Sequence, residues 1–282
     1  MLITGRTDLA SEAHSLWMRG AGESAALPGV RATQETLRGL PLTAVEITDE
    51  RGAATLGKPR GRYYTLRLPE RFSRGDGAFS DAACAVAALL GRCLPEKRAE
   101  GVLIAALGNP DVTPDALGPL CAGNVLVTRH LCRQETESFR GFCPVALCRT
   151  GVLGTTGVES AAQIRALCRD LSPACVIAVD ALAGAEPGEL CRTVQICDSG
   201  IAPGSGVGND REALDRGFLG VPVVALGVPT VADVSDPEGA ALFVTPRYID
   251  SAVRSLARLI GYGINLALHE HIGIEDIDLL LG

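Results

Sequence analysis

Two aspartates in this chain stand where an acid and a base could work together on one bond. Asp115 lies in LGNPDVTPDALGP, residues 107–119, beyond a Gly-rich turn, and Asp180 ends the aliphatic run of VIAVDALAGA, residues 176–185. If the two preceding strands are neighbours, the carboxyl groups converge. Two carboxylates about 4 Å apart at an effective dielectric near 20 repel by roughly 4 kcal/mol, or about three pKa units. One of them then keeps a proton. Such a pair supplies both an acid and a base for activating water against an amide, with apparent pKa values that belong to the pair. The competing reading of each acid is a helix N-cap, which the shared Asp-Ala-Leu of DALGP and DALAG also suits.

A third candidate stretch is the glycine-rich QICDSGIAPGSGVGND, residues 195–210. Its glycines let backbone N–H groups approach a ligand, so Gly204, Ser205, Gly206 and Gly208 are candidates for binding a substrate backbone or stabilising an oxyanion. The stretch lacks the GxxxxGK[ST] pattern of a P-loop. Ser199, Ser205 and Cys197 are possible nucleophiles, yet the four histidines, His14, His130, His269 and His271, have no motif tying them to these groups. A Ser-His or Cys-His mechanism is therefore disfavoured. His269 and His271 flank Glu270, and this HEH cluster reads as solvated surface, so no metal site is expected.

The elements that must position these residues read as an α/β protein. Short aliphatic runs at 102–107, 125–128, 145–147, 176–179 and 221–226 predict buried strands. Helical patterns fall between them at Asp81 to Leu94 and Glu159 to Leu171. Alternation of the two implies a mostly parallel twisted sheet with helices on both faces. Residues 45–68, including RGRYYTLRL, predict an antiparallel hairpin or edge strand added to that sheet. A last helix is predicted with Thr245 as N-cap and Pro246 at its first position. Ligands of such a sheet bind outside the carboxyl ends of its strands, which is where the acids fall.

Composition sets the outer bounds. The 282 residues are 47% hydrophobic and carry a net charge of −7, with a pI near 5.2. That balance gives no attraction for nucleic acid, and direct nucleic-acid binding is not expected. No apolar run reaches the roughly 18 residues that span a bilayer, so the chain reads as a cytoplasmic protein without membrane contact. The ten cysteines include no CxxC pair and read as reduced structural thiols.

Five blocks together resemble the germination protease family of endospore-forming bacteria. They are RTDLASEA near the start, LTAVEIT with GKPRGRYYTL, LGNPDVTPDALGP followed by NVLVTRHL, VIAVDALA, and TVQICDSGIAPGSGVGNDREAL followed by LGVPVVALGVPTVADV. The match continues in FVTPRYID and INLALHE. What the resemblance implies is an endopeptidase that degrades small acid-soluble spore proteins during germination, in the forespore or spore core, with Asp115 and Asp180 as its catalytic acids. It implies no cofactor, and a homotetramer. Family substrates are cut after the acid of a sequence resembling Thr-Glu-(aromatic or aliphatic)-Ala-Ser, and RTDLASEA reproduces that pattern. The chain is therefore expected to be a zymogen that cuts itself between Asp8 and Leu9, leaving residues 9–282 as a single protease domain. The exposed, weakly structured terminus expected there would be easily drawn into a cleft. The leader, residues 1–8, is shorter than those of family precursors, and the connection after residue 234 is short where the family commonly carries a long insertion.

The sheet plan also resembles the hydrogenase-maturation endopeptidases, in which two acids and a histidine bind nickel. The glycine-rich loop here offers Ala202 and no histidine. Two alternatives accompany the main reading: metal-assisted proteolysis, and a non-catalytic peptide-binding relative in which the acids are structural caps.

Overall fold

The structure is a computed structural model that describes residues 2–3, 7–21, 26–134, 139–204, 211–235 and 241–282. In chain order its elements are β1 (Leu2–Ile3), α1 (Ala10–Ala21), β2 (Val30–Leu37), β3 (Leu40–Ile47), α2 (Glu50–Leu56), β4 (Gly61–Arg67), α3 (Gly77–Cys93), β5 (Val102–Leu107), α4 (Leu117–Cys121) and α5 (Arg129–Cys132). Then follow β6 (Val145–Gly151), α6 (Leu153–Thr156), α7 (Ser160–Leu171), β7 (Cys175–Gly184), β8 (Thr193–Cys197), α8 (Arg216–Leu219), β9 (Val223–Ser235), β10 (Ala241–Val244), α9 (Ile249–Leu268) and α10 (Ile274–Leu281).

The strands form one sheet in the order β2-β3-β4-β8-β9-β7-β5-β6, with β1 and β10 both pairing to the far end of β9. Its heart is the parallel group β6-β5-β7-β9. Its inner strands β5 and β7 are buried on both faces, which is why they read in sequence as aliphatic runs, whereas β6 closes the edge and is only partly buried. The residues 45–68 do form an antiparallel addition, β3 and β4, joined through α2. A further strand, β2, extends the edge. Its outward VRATQETL is exposed along most of its length and turns into β3 at Arg38 and Gly39, both with positive φ, as a two-residue hairpin turn requires.

Two local expectations are corrected. Residues 125–128 are not a strand. The Leu126 amide donates to the Asn265 side chain of α9 (2.9 Å), so the run is tied to a helix instead of a ladder. The last long helix starts at Ile249, not at Pro246, because the Thr245 hydroxyl donates to the Thr230 carbonyl (2.8 Å) and caps nothing.

Helices α3, α4 and α9 cover one face of the sheet through residues such as Phe79, Val86, Leu117, Leu256 and Ile260. The opposite face is packed in two separate apolar clusters. One lies under α7 and α8 around Ile164 and Leu219, and the other under α1 and α2 around Ala10, Leu56 and Tyr63. The cleft that holds the candidate chemistry opens between them, beyond the carboxyl ends of β5 and β7. Among the described residues no helix is long and apolar enough to cross a membrane.

Candidate active site

Asp115 reaches the cleft because glycine lets the chain double back after β5. Gly108 has φ +109°, and a Cβ there would stand 2.1 Å from the Asp115 carbonyl oxygen. The Asn109 amide donates to Asp115 Oδ2 (2.8 Å), while the Asn109 side chain accepts from the Asp111 amide (3.0 Å). The short 3-10 turn Thr113–Asp115 leads into α4, which sits directly on the sheet at Gly118. The capping alternative for Asp115 does not hold, since the N-cap position of α4 is Ala116 and no side chain caps the helix. The carboxylate instead organises its own loop.

Asp180 lies inside β7, not at its end as the aliphatic run suggested, and the strand continues to Gly184. It therefore caps no helix. Its side chain is 4% exposed, and Oδ1 accepts from the Ala181 amide (3.0 Å). Burial and, next, the charge of Asp115 push its pKa well above the ordinary carboxylate value, with Asp8 adding to the push. Burial also raises Asp115, against the Asn109 amide and the Arg211 guanidinium. The repulsion adds to burial at Asp180, the more buried of the two, so the upward push is greater there than at Asp115.

Both acids line a cavity of about 370 Å³, with Leu107, Val112, Ser160, Ala183, Arg211 and Phe243 among its walls. Gly204 lines it as well, whereas Ser205, Gly206 and Gly208 lie outside the described residues. Among the described residues no group of three His, Cys, Asp or Glu side chains is arranged to hold a metal ion.

The profile of the germination protease family matches residues 10–236. This chain belongs to the germination protease family. It is accordingly an endopeptidase, a hydrolase acting on peptide substrates. The germination protease of Clostridium perfringens strain ATCC 13124 is 35% identical over 98% of this chain and 98% of its own length. That of Bacillus cereus strain B4264 is 39% identical over 90% of this chain and 68% of its own length. Among solved structures, a nickel–iron hydrogenase maturation protease from Thermococcus kodakarensis KOD1 is 18% identical with a TM-score of 0.38, covering 62% of this chain and 98% of that one.

Of the other nucleophile candidates Ser205 lies outside the described residues, and Cys197 is placed in unreactive surroundings. Cys197 is 4% exposed, receives the Ser199 hydroxyl (3.4 Å), and is held by burial above the ordinary thiol value. A thiol kept protonated is a poor nucleophile. The HEH cluster is not wholly surface. Glu270 and His271 are exposed, but His269 is 2% exposed, packs against Phe142 with ring centroids 5.0 Å apart, and finds no hydrogen-bond partner for either ring nitrogen among the described residues. Burial depresses its pKa to about 4, so it is a neutral core histidine.

The expected cut site is not an exposed terminus. Leu9 is 1% exposed and Ala10 is fully buried. Asp8 lies along β7: its amide donates to the Ala183 carbonyl (2.8 Å) and its Oδ2 accepts from the Ala183 amide (2.8 Å). Thr7 donates through Oγ1 to Glu12 Oε2 (2.5 Å). Asp8 lines the same cavity as Asp115 and Asp180. Sequence reasoning missed four residues that this arrangement uses, namely Glu12, Lys58, Gln195 and Arg211. Two carried a signal. Among 26 basic residues only Lys58 and Lys97 are lysines, and Gln195 is a polar residue inside the apolar TVQIC.

Proposed function

We propose that this germination protease hydrolyses peptide bonds with Asp115 and Asp180 as an acid–base pair around a water molecule, and that it is made as a zymogen cutting itself between Asp8 and Leu9. Its substrates in this reading are the small acid-soluble spore proteins, degraded in the spore core during germination. Residues 1–8 are the leader and 9–282 the protease domain, assembled as a homotetramer. No metal enters this mechanism, so activity should survive chelators.

The observation that carries the reading is the presence of three carboxyl groups on one cavity: the two acids and the residue before the expected scissile bond. Asp115, ionised and held by the Asn109 amide, takes a proton from water as the water oxygen adds to the peptide carbonyl carbon. Asp180, protonated, gives its proton to the developing oxyanion. When the tetrahedral adduct collapses, the C–N bond breaks, the leaving nitrogen receives a proton from Asp115, and Asp180 recovers its own. Val112 and Phe243, 48% and 55% exposed at the cavity, offer apolar surface to the flanking side chains of a peptide.

Intact mass after incubation at acidic and neutral pH tests this. The wild-type chain should lose residues 1–8, and Asp115→Asn and Asp180→Asn should not. Cleavage that persists in either variant would remove that acid from the mechanism.

A further inference from the structure

The segment Thr7–Ala10 occupies the cleft in a fixed register, and the register is set by a side chain that grips only main chain. Gln195 Nε2 donates to the Asp8 carbonyl oxygen (3.0 Å), and Gln195 Oε1 accepts from the Ala10 amide (2.7 Å). The Asp8–Leu9 bond is thus spanned by one carboxamide, which is 6% exposed and ignores side-chain identity. Gln195 shares a cross-strand row with Asp180, since both pair with Gly227 of β9. Gly227 leaves the row open, because a Cβ there would stand 2.6 Å from Leu182 Cγ.

With the main chain fixed in this way, the side chain before the expected scissile bond faces Lys58. Lys58 Nζ lies 4.0 Å from Asp8 Oδ1, and the two side chains are 15% and 13% exposed. Lys58 follows α2, whose end is set by Gly57 with φ +63°, and its amide donates to the Ala53 carbonyl (3.2 Å). It stands in a second cavity of about 190 Å³ whose walls include Tyr63, Leu182, Cys197, Ile201 and Ala225, and which meets the first at Asp8 and Leu182. An ammonium in such walls is poorly solvated, and burial is the main cause lowering the Lys58 pKa, with the Asp8 charge raising it. The cation needs a carboxylate, and a carboxylate brought beside Asp115 and Asp180 needs a cation. Each charge makes the other tolerable.

We propose that Lys58 is the specificity-determining residue of this protease, selecting a carboxylate side chain immediately before the scissile bond while Gln195 fixes the main chain. Asp8 is the resident occupant of that subsite, and the acid of a substrate peptide takes the same place. This rests on the reading of the cleft as the active site, so its test includes an arm that needs no turnover.

In the full chain carrying Asp180→Asn, hydrogen exchange at the Asp8 and Ala183 amides reports whether Asp8 is docked. Lys58→Met should speed exchange at both by about 30-fold, the scale of removing one partner of a buried charge pair, with β5 unchanged. Lys58→Arg should stay near the parent. Unchanged exchange at Asp8 and Ala183 in Lys58→Met would overturn the proposal whether or not the chain cuts itself. In the chain with both acids intact, conversion followed by intact mass should slow by about 30-fold in Lys58→Met and in Asp8→Asn, with no further loss when the two are combined. Should Lys58→Met fail to fold, the exchange Lys58→Glu with Asp8→Lys decides: cutting faster than in either single variant supports the pairing, and cutting as slow as the worse single variant refutes it. A parent chain that does not cut at all counts against the acid-pair mechanism alone, since exchange still reads the subsite.

Discussion

Replacing Gly118 by alanine adds one methyl group at the point where α4 rests on the sheet, and the structure says how much must move. The new Cβ would lie 2.2 Å from the Leu107 carbonyl oxygen, 2.6 Å from the Leu107 amide nitrogen and 2.6 Å from the Val179 carbonyl oxygen. All three are backbone atoms of buried strands, which cannot step aside as a side chain end would. Ordinary contact begins near 3.4 Å, so α4 and the turn before it must shift by 3.4 − 2.2, or 1.2 Å. Alanine regains about 1 kcal/mol of helix propensity, while overpacking costs about 1–3 kcal/mol, so net stability falls by up to about 2 kcal/mol. The larger effect is on catalysis. The Thr113–Asp115 turn precedes α4 directly, and Asp180 follows Val179, so the methyl group pries the two acids apart. Misplacement by about 1 Å costs on the order of 100-fold in rate. Urea unfolding gives the stability change, and intact mass or peptide cleavage gives the rate. Gly91→Ala is the control, because among the described residues nothing stands within 4 Å of its Cβ and it lies in α3. A folded Gly118→Ala protein that cuts at the wild-type rate would refute the claim that α4 sets the spacing of the acids.

Two further outcomes follow from titration. Arg211 lowers the pKa of both Asp115 and Asp180, so in the proposed acid-pair mechanism Arg211→Gln should raise them and move the alkaline limb of kcat/KM to higher pH, because the pair then keeps its shared proton longer; a limb that stays put or moves down counts against the pair. His269 has a folded pKa of about 4 against an ordinary 6.5, so the unfolded chain binds its proton first. The stability tied to the neutral ring is whole above pH 6.5 and is lost as pH falls towards 4, by up to about 3 kcal/mol. His269→Leu should therefore lose less stability than wild type between pH 7 and 4.5 in urea titrations, and equal slopes would show that the buried ring does not titrate there.

The sequence alone determined the parallel heart of the sheet, because strands buried on both faces must be aliphatic throughout and therefore announce themselves. It also singled out Asp115 and Asp180 as candidates, since a carboxylate in or just beyond an aliphatic run has few packing reasons to be there, while their meeting on one cavity was decided by the fold. The family blocks carried the endopeptidase activity. Tertiary structure decided what depends on neighbours distant in the chain. Residues 125–128 have strand-like composition, yet Asn265 takes their hydrogen bond from 139 residues away. His269 looks like surface beside Glu270 until α9 turns it inward against Phe142. Gln195 stands out as polar inside TVQIC and Lys58 as one of two lysines, but nothing local assigns either to a cleft. Their roles arise only when β8, the end of α2 and residues 7–10 meet, through contacts spanning up to 187 residues. Local patterning records which face of an element is buried, whereas the partner of a single polar side chain is set by where the whole sheet brings it.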